Sequence, residues 1–216
     1  MRRLLIYLSL GIISLLPLSN ICQAGVDVGL SLDKDGLNSF YLAIGEHYRV
    51  PEKEVVVVRE RNVSDEELPV VFYLAARTGA SPDAIIKLRL GGKSWMDISF
   101  QYGLSAEAFY VPVNGDPGPP YGNAYGHFKH RHRNEWGNIR LTDSDIVNLV
   151  NLKFISEHYG CTPDDVIKMR SKGSNFVNIN AEVKKNKGKN NKEFAKDNKE
   201  SNKENGKNNK SKGKNK

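Results

Sequence analysis

An all-α fold is what this sequence of 216 residues predicts, and three observations carry the prediction. A 21-residue stretch occurs twice with the same apolar pattern. Each copy is bracketed by helix-start and helix-stop residues, and its apolar side chains recur at the 3-to-4-residue spacing of a helix face rather than the alternation of a strand. The only stretch that favours β structure is the run of four valines from Val55 to Val58.

The repeat is the firmest of the three. Residues 79–99 read GASPDAIIKLRLGGKSWMDIS, and residues 160–180 read GCTPDDVIKMRSKGSNFVNIN. At an offset of 81 they share 8 of 21 positions, where chance gives about one. The replacements keep size and polarity: Ile85 with Val166, Leu88 with Met169, Trp95 with Phe176, Ala80 with Cys161. The predicted core of the repeat is Ile85, Ile86, Leu88, Trp95 and Ile98 in one copy and Val166, Ile167, Met169, Phe176 and Ile179 in the other.

In chain order, residues 1–24 read as a secretory signal peptide. Arg2 and Arg3 precede the apolar run Leu4 to Leu16, Pro17 breaks it, and Ala24 offers a cleavage point before Gly25. Thirteen residues span about 20 Å of helix, short of the roughly 30 Å hydrocarbon core of a membrane. The expected location is therefore periplasmic or extracellular. Residues 25–113 form a helical repeat region. A faint third copy runs from Phe40 to Val63, where Glu46-His47-Tyr48 echoes Glu157-His158-Tyr159 and Pro51 takes the helix-start position. The valine run inside it is read as helix. Ser64 with Glu67 opens the next helix, which runs to Thr78. Ser81 then caps a helix with Pro82 in its first position and Asp83 in its first turn. Gly92 ends that helix, and Ser94 caps the one that carries Trp95 and Ile98.

The stretch from Ser94 to Tyr110, SWMDISFQYGLSAEAFY, resembles the helix-turn-helix motif of bacterial regulators. Ile98 and Ser99 take its first helix, Gly103 the turn, Leu104 and Ser105 the positions after it, and Phe109 the core. The resemblance implies a tri-helical shape and, as an alternative function, nucleic-acid binding. Against that function, the would-be recognition helix opens on Ala106, Glu107 and Ala108, which offer no donor to base edges and one charge that repels phosphate.

Residues 114–140, NGDPGPPYGNAYGHFKHRHRNEWGNIR, are too rich in Gly, Pro and Asn for a long helix and read as a connector. It carries Tyr121, Tyr125, Lys129, Arg131, Arg133 and Trp136, a candidate contact surface, and three of the five histidines. His127, His130 and His132 are candidate metal ligands, although Lys129, Arg131 and Arg133 between them disfavour a cation and no Cys or carboxylate completes a set. Residues 141–183 form the second repeat unit, opened by Thr142 with Asp145, capped by Thr162 and then by Ser174, and expected to pack on the first as one body. Cys161 is the one thiol left after cleavage, and its alanine twin argues for a small packed position.

Residues 184–216 hold 13 lysines against 4 acidic residues, a net +9, so the remaining body from Gly25 to Val183 is mildly acidic at −4. Almost without apolar groups, this tail is predicted to be disordered. Its lysines, Lys184, Lys185, Lys187 and Lys189 among them, could dock on an anionic envelope polymer, a lipid surface or extracellular nucleic acid. The pairing of G-x-S-W-x-x-I (Gly92 to Ile98) with G-P-P-Y-G (Gly118 to Gly122) and a lysine-rich end is similar to exported bacterial proteins of unknown function. That resemblance implies secretion and helical architecture. The sequence holds no G-x-S-x-G, no P-loop and no H-E-x-x-H, and the acidic pairs Glu66-Glu67 and Asp164-Asp165 sit at helix starts, where the macrodipole accounts for them. The expectation is an exported binding protein without catalysis or cofactor, with a metal-binding protein as the alternative.

Overall fold

A computed structural model describes residues 34–188, and every regular element among them is helical. In order these are α1 (Lys34–Tyr48), α2 (Glu52–Arg59), a 3-10 turn (Asp65–Glu67) leading into α3 (Leu68–Thr78), α4 (Pro82–Leu90) and α5 (Trp95–Gln101). A second 3-10 turn (Ala106–Phe109), α6 (Gly122–Lys129), a third 3-10 turn (Arg133–Asn138), α7 (Asp143–Tyr159) and α8 (Pro163–Ser171) follow. A last helix, α9, occupies residues 176–188. The signal-peptide reading and residues 189–216 of the tail lie outside the described residues.

The sequence repeat is a structural one, and it has three copies. Each is a helix, a left-handed residue, a short helix, a second left-handed residue, and a third helix opened by a polar cap. The first left-handed positions are Arg49 (φ 59°), Gly79 (φ 72°) and Gly160 (φ 70°), and the second are Asn62 (φ 65°), Gly92 (φ 87°) and Gly173 (φ 93°). In all three the interval is the same, and Ser64, Ser94 or Asn175 stands two residues further on. The first copy thus uses Arg and Asn where the others use Gly, at a cost of about 1 to 2 kcal/mol for a side chain in that region. The offset also sets Arg59, Arg89 and Arg170 at one shared position. Because α3 closes the first copy and opens the second, the copies overlap.

Local chemistry explains the elements. Ser81 and Thr162 accept from the backbone amides of Ala84 and Asp165, and Ser94 from that of Asp97. In the third copy the cap is not Ser174 but Asn175, whose Oδ1 accepts from Asn178 N at 2.8 Å. Asn175 is the residue that the offset of 81 aligns with Ser94. Pro51 likewise sits at the N-cap of α2, one position earlier than expected. The valine run is helical: Glu52 and Glu54 occupy the positive end of α2, and Val55 and Val58, one turn apart, are buried against α1. The close approach of that turn depends on Gly45, where a Cβ would lie 2.9 Å from the Val50 carbonyl oxygen.

One hydrophobic core runs through the whole body. The predicted repeat core is buried at Ile85, Ile86, Trp95, Ile98, Val166, Ile167, Met169, Phe176 and Ile179, while Leu88 is half-buried at its edge. Cys161 is buried too. Helix α7 lies against α1, α3, α5 and α8. The connector, expected to offer a contact surface, is in part built into this core. Tyr121 has no exposed surface, and Ala124, Tyr125, Phe128 and Trp136 are also buried. The second helix of the regulator-like motif is reduced to the 3-10 turn Ala106–Phe109, after which the chain turns extended at Tyr110. That leaves no recognition helix to enter a groove.

The tail does not begin at residue 184 as expected. Helix α9 continues to residue 188, and two of its lysines are tied to the body. Lys184 Nζ donates to Ser39 Oγ at 3.0 Å on α1, and Lys187 Nζ donates to the Tyr159 carbonyl at 3.0 Å at the end of α7.

Candidate functional site

Two kinds of polar arrangement stand out, one at the repeat junctions and one around the connector. At the junctions, Arg89 and Arg170 do equivalent work. Arg89 Nε donates to Glu67 Oε1 at 3.2 Å, and Arg170 Nε to Asn148 Oδ1 at 3.3 Å; residues 67 and 148 are again 81 apart. Each guanidinium also reaches a carboxylate on the other repeat, Asp143 for Arg89 and Glu66 for Arg170. Each of those carboxylates accepts the backbone amide of the core aromatic, Trp95 or Phe176, at 2.7 Å. The guanidinium then lies over that aromatic ring, 4.6 Å above Trp95 and 4.5 Å above Phe176. Burial works against the charge of Glu67, but hydrogen bonds from Ser64, Arg89 and Trp95 outweigh it and hold the carboxyl below its usual range. Glu66 and Glu67 are therefore more than helix-start acids: they clasp the repeats together. Their partners lie between 22 and 110 residues away.

A second reciprocal pair joins α1 to α7. His47 Nε2 lies 3.8 Å from Glu157, and His158 Nε2 lies 3.6 Å from Glu46, with the two rings 6.0 Å apart. Burial pushes both imidazoles below their ordinary value; the facing glutamates pull them back up, while Lys153 near His47, and Lys184 and Lys187 near His158, push further down. The unfolded chain therefore binds protons that the folded one resists. Stability is complete above the ordinary imidazole value of about 6.5 and falls as the pH drops below it. The thermal midpoint is expected to decline between pH 7.5 and 5.5, and the His47→Gln, His158→Gln double variant to decline less. Equal slopes would remove the histidines from the account.

Around the connector, Tyr110, Phe128 and Trp136 pack ring to ring. Their centroids are 4.7 to 5.0 Å apart and their planes lie 48° to 67° from one another. Tyr125 joins them at 5.9 Å from Tyr110, its hydroxyl donating to the Val111 carbonyl at 2.6 Å. The Trp136 indole N–H donates to the Arg131 carbonyl at 3.2 Å. These rings floor a cleft of about 620 Å³ whose rim carries Asp116, Lys129 and His130. A shallower depression of about 420 Å³, with Arg77, Lys153, Ser105 and Glu107 on its walls, is also lined by Tyr110.

Of the sequence-predicted contact residues, Lys129 lines the cleft, and Arg133 pairs with Glu107 at 3.0 Å while lying 5.4 Å over Trp136. Arg131 is exposed. Tyr121 is not a surface residue; its ring is sealed in the core. The three candidate metal ligands are not gathered: His127 is half-buried on α6, His130 and His132 are exposed beyond its end, and no group of three ligating side chains forms among the described residues. Lys185 is exposed on α9, and Lys189 lies outside the described residues. Sequence reasoning missed Tyr110, Asp116, Arg77 and Lys153, because the elements that bring them together are far apart in the chain.

No helix among the described residues is long and apolar enough to cross a membrane. Comparison of the chain with protein-family models, curated proteins and solved structures finds no match.

Proposed function

We propose that this chain is an exported, non-catalytic binding protein whose helical body anchors a lysine-rich segment for contact with polyanionic surfaces. The observation that supports this reading is the docking of α9. Through Lys184 and Lys187 the helix is held on α1 and α7, so the segment that follows leaves from a fixed point on the body. Residues 189–216 carry ten lysines and four acidic residues, in a composition that cannot bury a core. Each lysine near an anionic surface contributes about 1 kcal/mol at low salt.

The expected result is a retention on anionic lipid vesicles that weakens steeply with salt and disappears when residues 189–216 are deleted, with the helical content of the body unchanged. Retention that survives the deletion would place polyanion contact on the body and overturn the assignment to the tail.

A further inference from the structure

The two depressions that share Tyr110 in their walls combine features that suit one kind of ligand. The larger, of about 620 Å³, falls within the roughly 300 to 1,000 Å³ of small-molecule sites. Its floor is aromatic, and its rim offers a carboxylate acceptor at Asp116 and donors at Lys129 and His130. The smaller is cationic at Arg77, with Lys153, which also meets Glu157 at 3.6 Å on its own helix, on the same walls, and its one acid, Glu107, is paired with Arg133.

The alternatives fit less well. A cationic ligand would meet Arg77, Lys129 and Lys153, with Arg133 over the Trp136 ring. A flat nucleobase binds best between parallel rings, whereas Tyr110, Phe128 and Trp136 are mutually inclined by 48° to 67° and already in contact. A purely apolar ligand would leave the rim groups without partners. A pyranose ring meets each requirement. Its C–H bonds lie against the negative face of an aromatic ring, its hydroxyls both donate and accept at a mixed rim, and a carboxylate on a neighbouring sugar reaches the two cations.

From this we infer that the two depressions lined by Tyr110 together bind an acidic oligosaccharide, with Tyr110 under one sugar ring and Arg77 and Lys153 holding the carboxylate of the next. The inference rests on the polyanion reading in the sign of the ligand's charge, and it adds a contact on the body to the one on the tail.

The test titrates the full chain with trigalacturonate, its methyl ester and AMP at 0.15 M salt, following tryptophan fluorescence and heat. Trigalacturonate is expected to bind at least tenfold more tightly than the ester. The Arg77→Gln, Lys153→Gln variant, which removes both positive charges and keeps polar side chains in their place, should erase that preference. Tyr110→Ala should lose both saccharides, with circular dichroism and the unfolding midpoint checking that it folds. A full-length variant with glutamine at every lysine from 189 onward should bind trigalacturonate as tightly as the parent, even where it no longer adheres to anionic lipid vesicles. Equal affinity for acid and ester, preference for AMP, or loss of trigalacturonate binding in the tail variant would each overturn the inference. Retained vesicle adhesion in the tail variant would overturn the tail reading alone.

Discussion

Trp95→Ala and Phe176→Ala are each expected to cost about 3 to 5 kcal/mol, which in a body of this size lowers the thermal midpoint by about 6 to 20 °C. Both side chains are fully buried, and both lie beneath the guanidinium of an arginine at the same place in the repeat. Truncation therefore opens a cavity and uncovers the ion pair above it. The swap Trp95→Phe is the informative control. Phenylalanine is what the other copy uses at this position, so the loss should be mainly the indole bond to Glu67 Oε1 at 3.0 Å and the missing ring volume. It is expected to cost less than half of Trp95→Ala by urea denaturation. A full-sized loss from Trp95→Phe would mean that the indole hydrogen bond outweighs packing, and an unmoved midpoint in either alanine variant would contradict the shared-core reading.

Much of this fold is written locally, and that part was legible. Ser81-Pro82-Asp83, Thr162-Pro163-Asp164 and the paired glycines specify where helices start and stop by short-range hydrogen bonds and backbone freedom, without reference to the rest of the chain. The first copy was harder to read for a physical reason: its left-handed positions are Arg49 and Asn62 rather than Gly. Tertiary contact overrides the local preference there, as it does for α2, where Val55 and Val58 are buried in a helix despite their β propensity. The interval from residue 49 to 62, equal to that from 79 to 92 and from 160 to 173, was the signal that could have found the copy in full.

The connector was misjudged for a related reason. Gly and Pro correctly exclude a long helix, but they say nothing about whether a segment is buried. The tyrosines and tryptophan did say so: aromatic side chains of that size bury 150 Å² or more each and seldom sit on a spacer. Tyr121 and Trp136 are core residues for this reason, and only the half-buried Tyr110, outside the connector's boundary, remains as the accessible wall of the cleft. The candidate site could not have been read from spacing, since Arg77, the segment of Tyr110 and Asp116, and Lys153 come from three separate stretches.

The clasps give the second large effect, and they are not equal. Both arginines donate to a backbone carbonyl four residues on, Lys93 for Arg89 and Ser174 for Arg170, but Arg89 is also hydrogen-bonded to Glu67 at 2.7 Å and to Asp143 at 2.5 Å. Arg170 meets Glu66 at 3.4 Å, and the partner of its Nε is the neutral Asn148 where the other copy has Glu67. Both arginines are largely shielded from water, at 24% and 21% exposure, so screening does not level the difference. Removing Arg89 strands two carboxylates, one of them bonded to the Trp95 indole, and is expected to cost about 3 to 4 kcal/mol. Removing Arg170 strands one carboxylate that keeps the Phe176 amide, and is expected to cost about 1 to 2 kcal/mol. Because Asp143 and Glu66 each belong to the opposite repeat, the Arg89→Ala, Asp143→Ala cycle should show a coupling of about 1 to 3 kcal/mol in urea unfolding. A larger loss for Arg170→Ala than for Arg89→Ala would overturn the ranking of the two clasps, and additivity in that cycle would show that the helices are held by apolar packing alone and that the clasps merely decorate the junction.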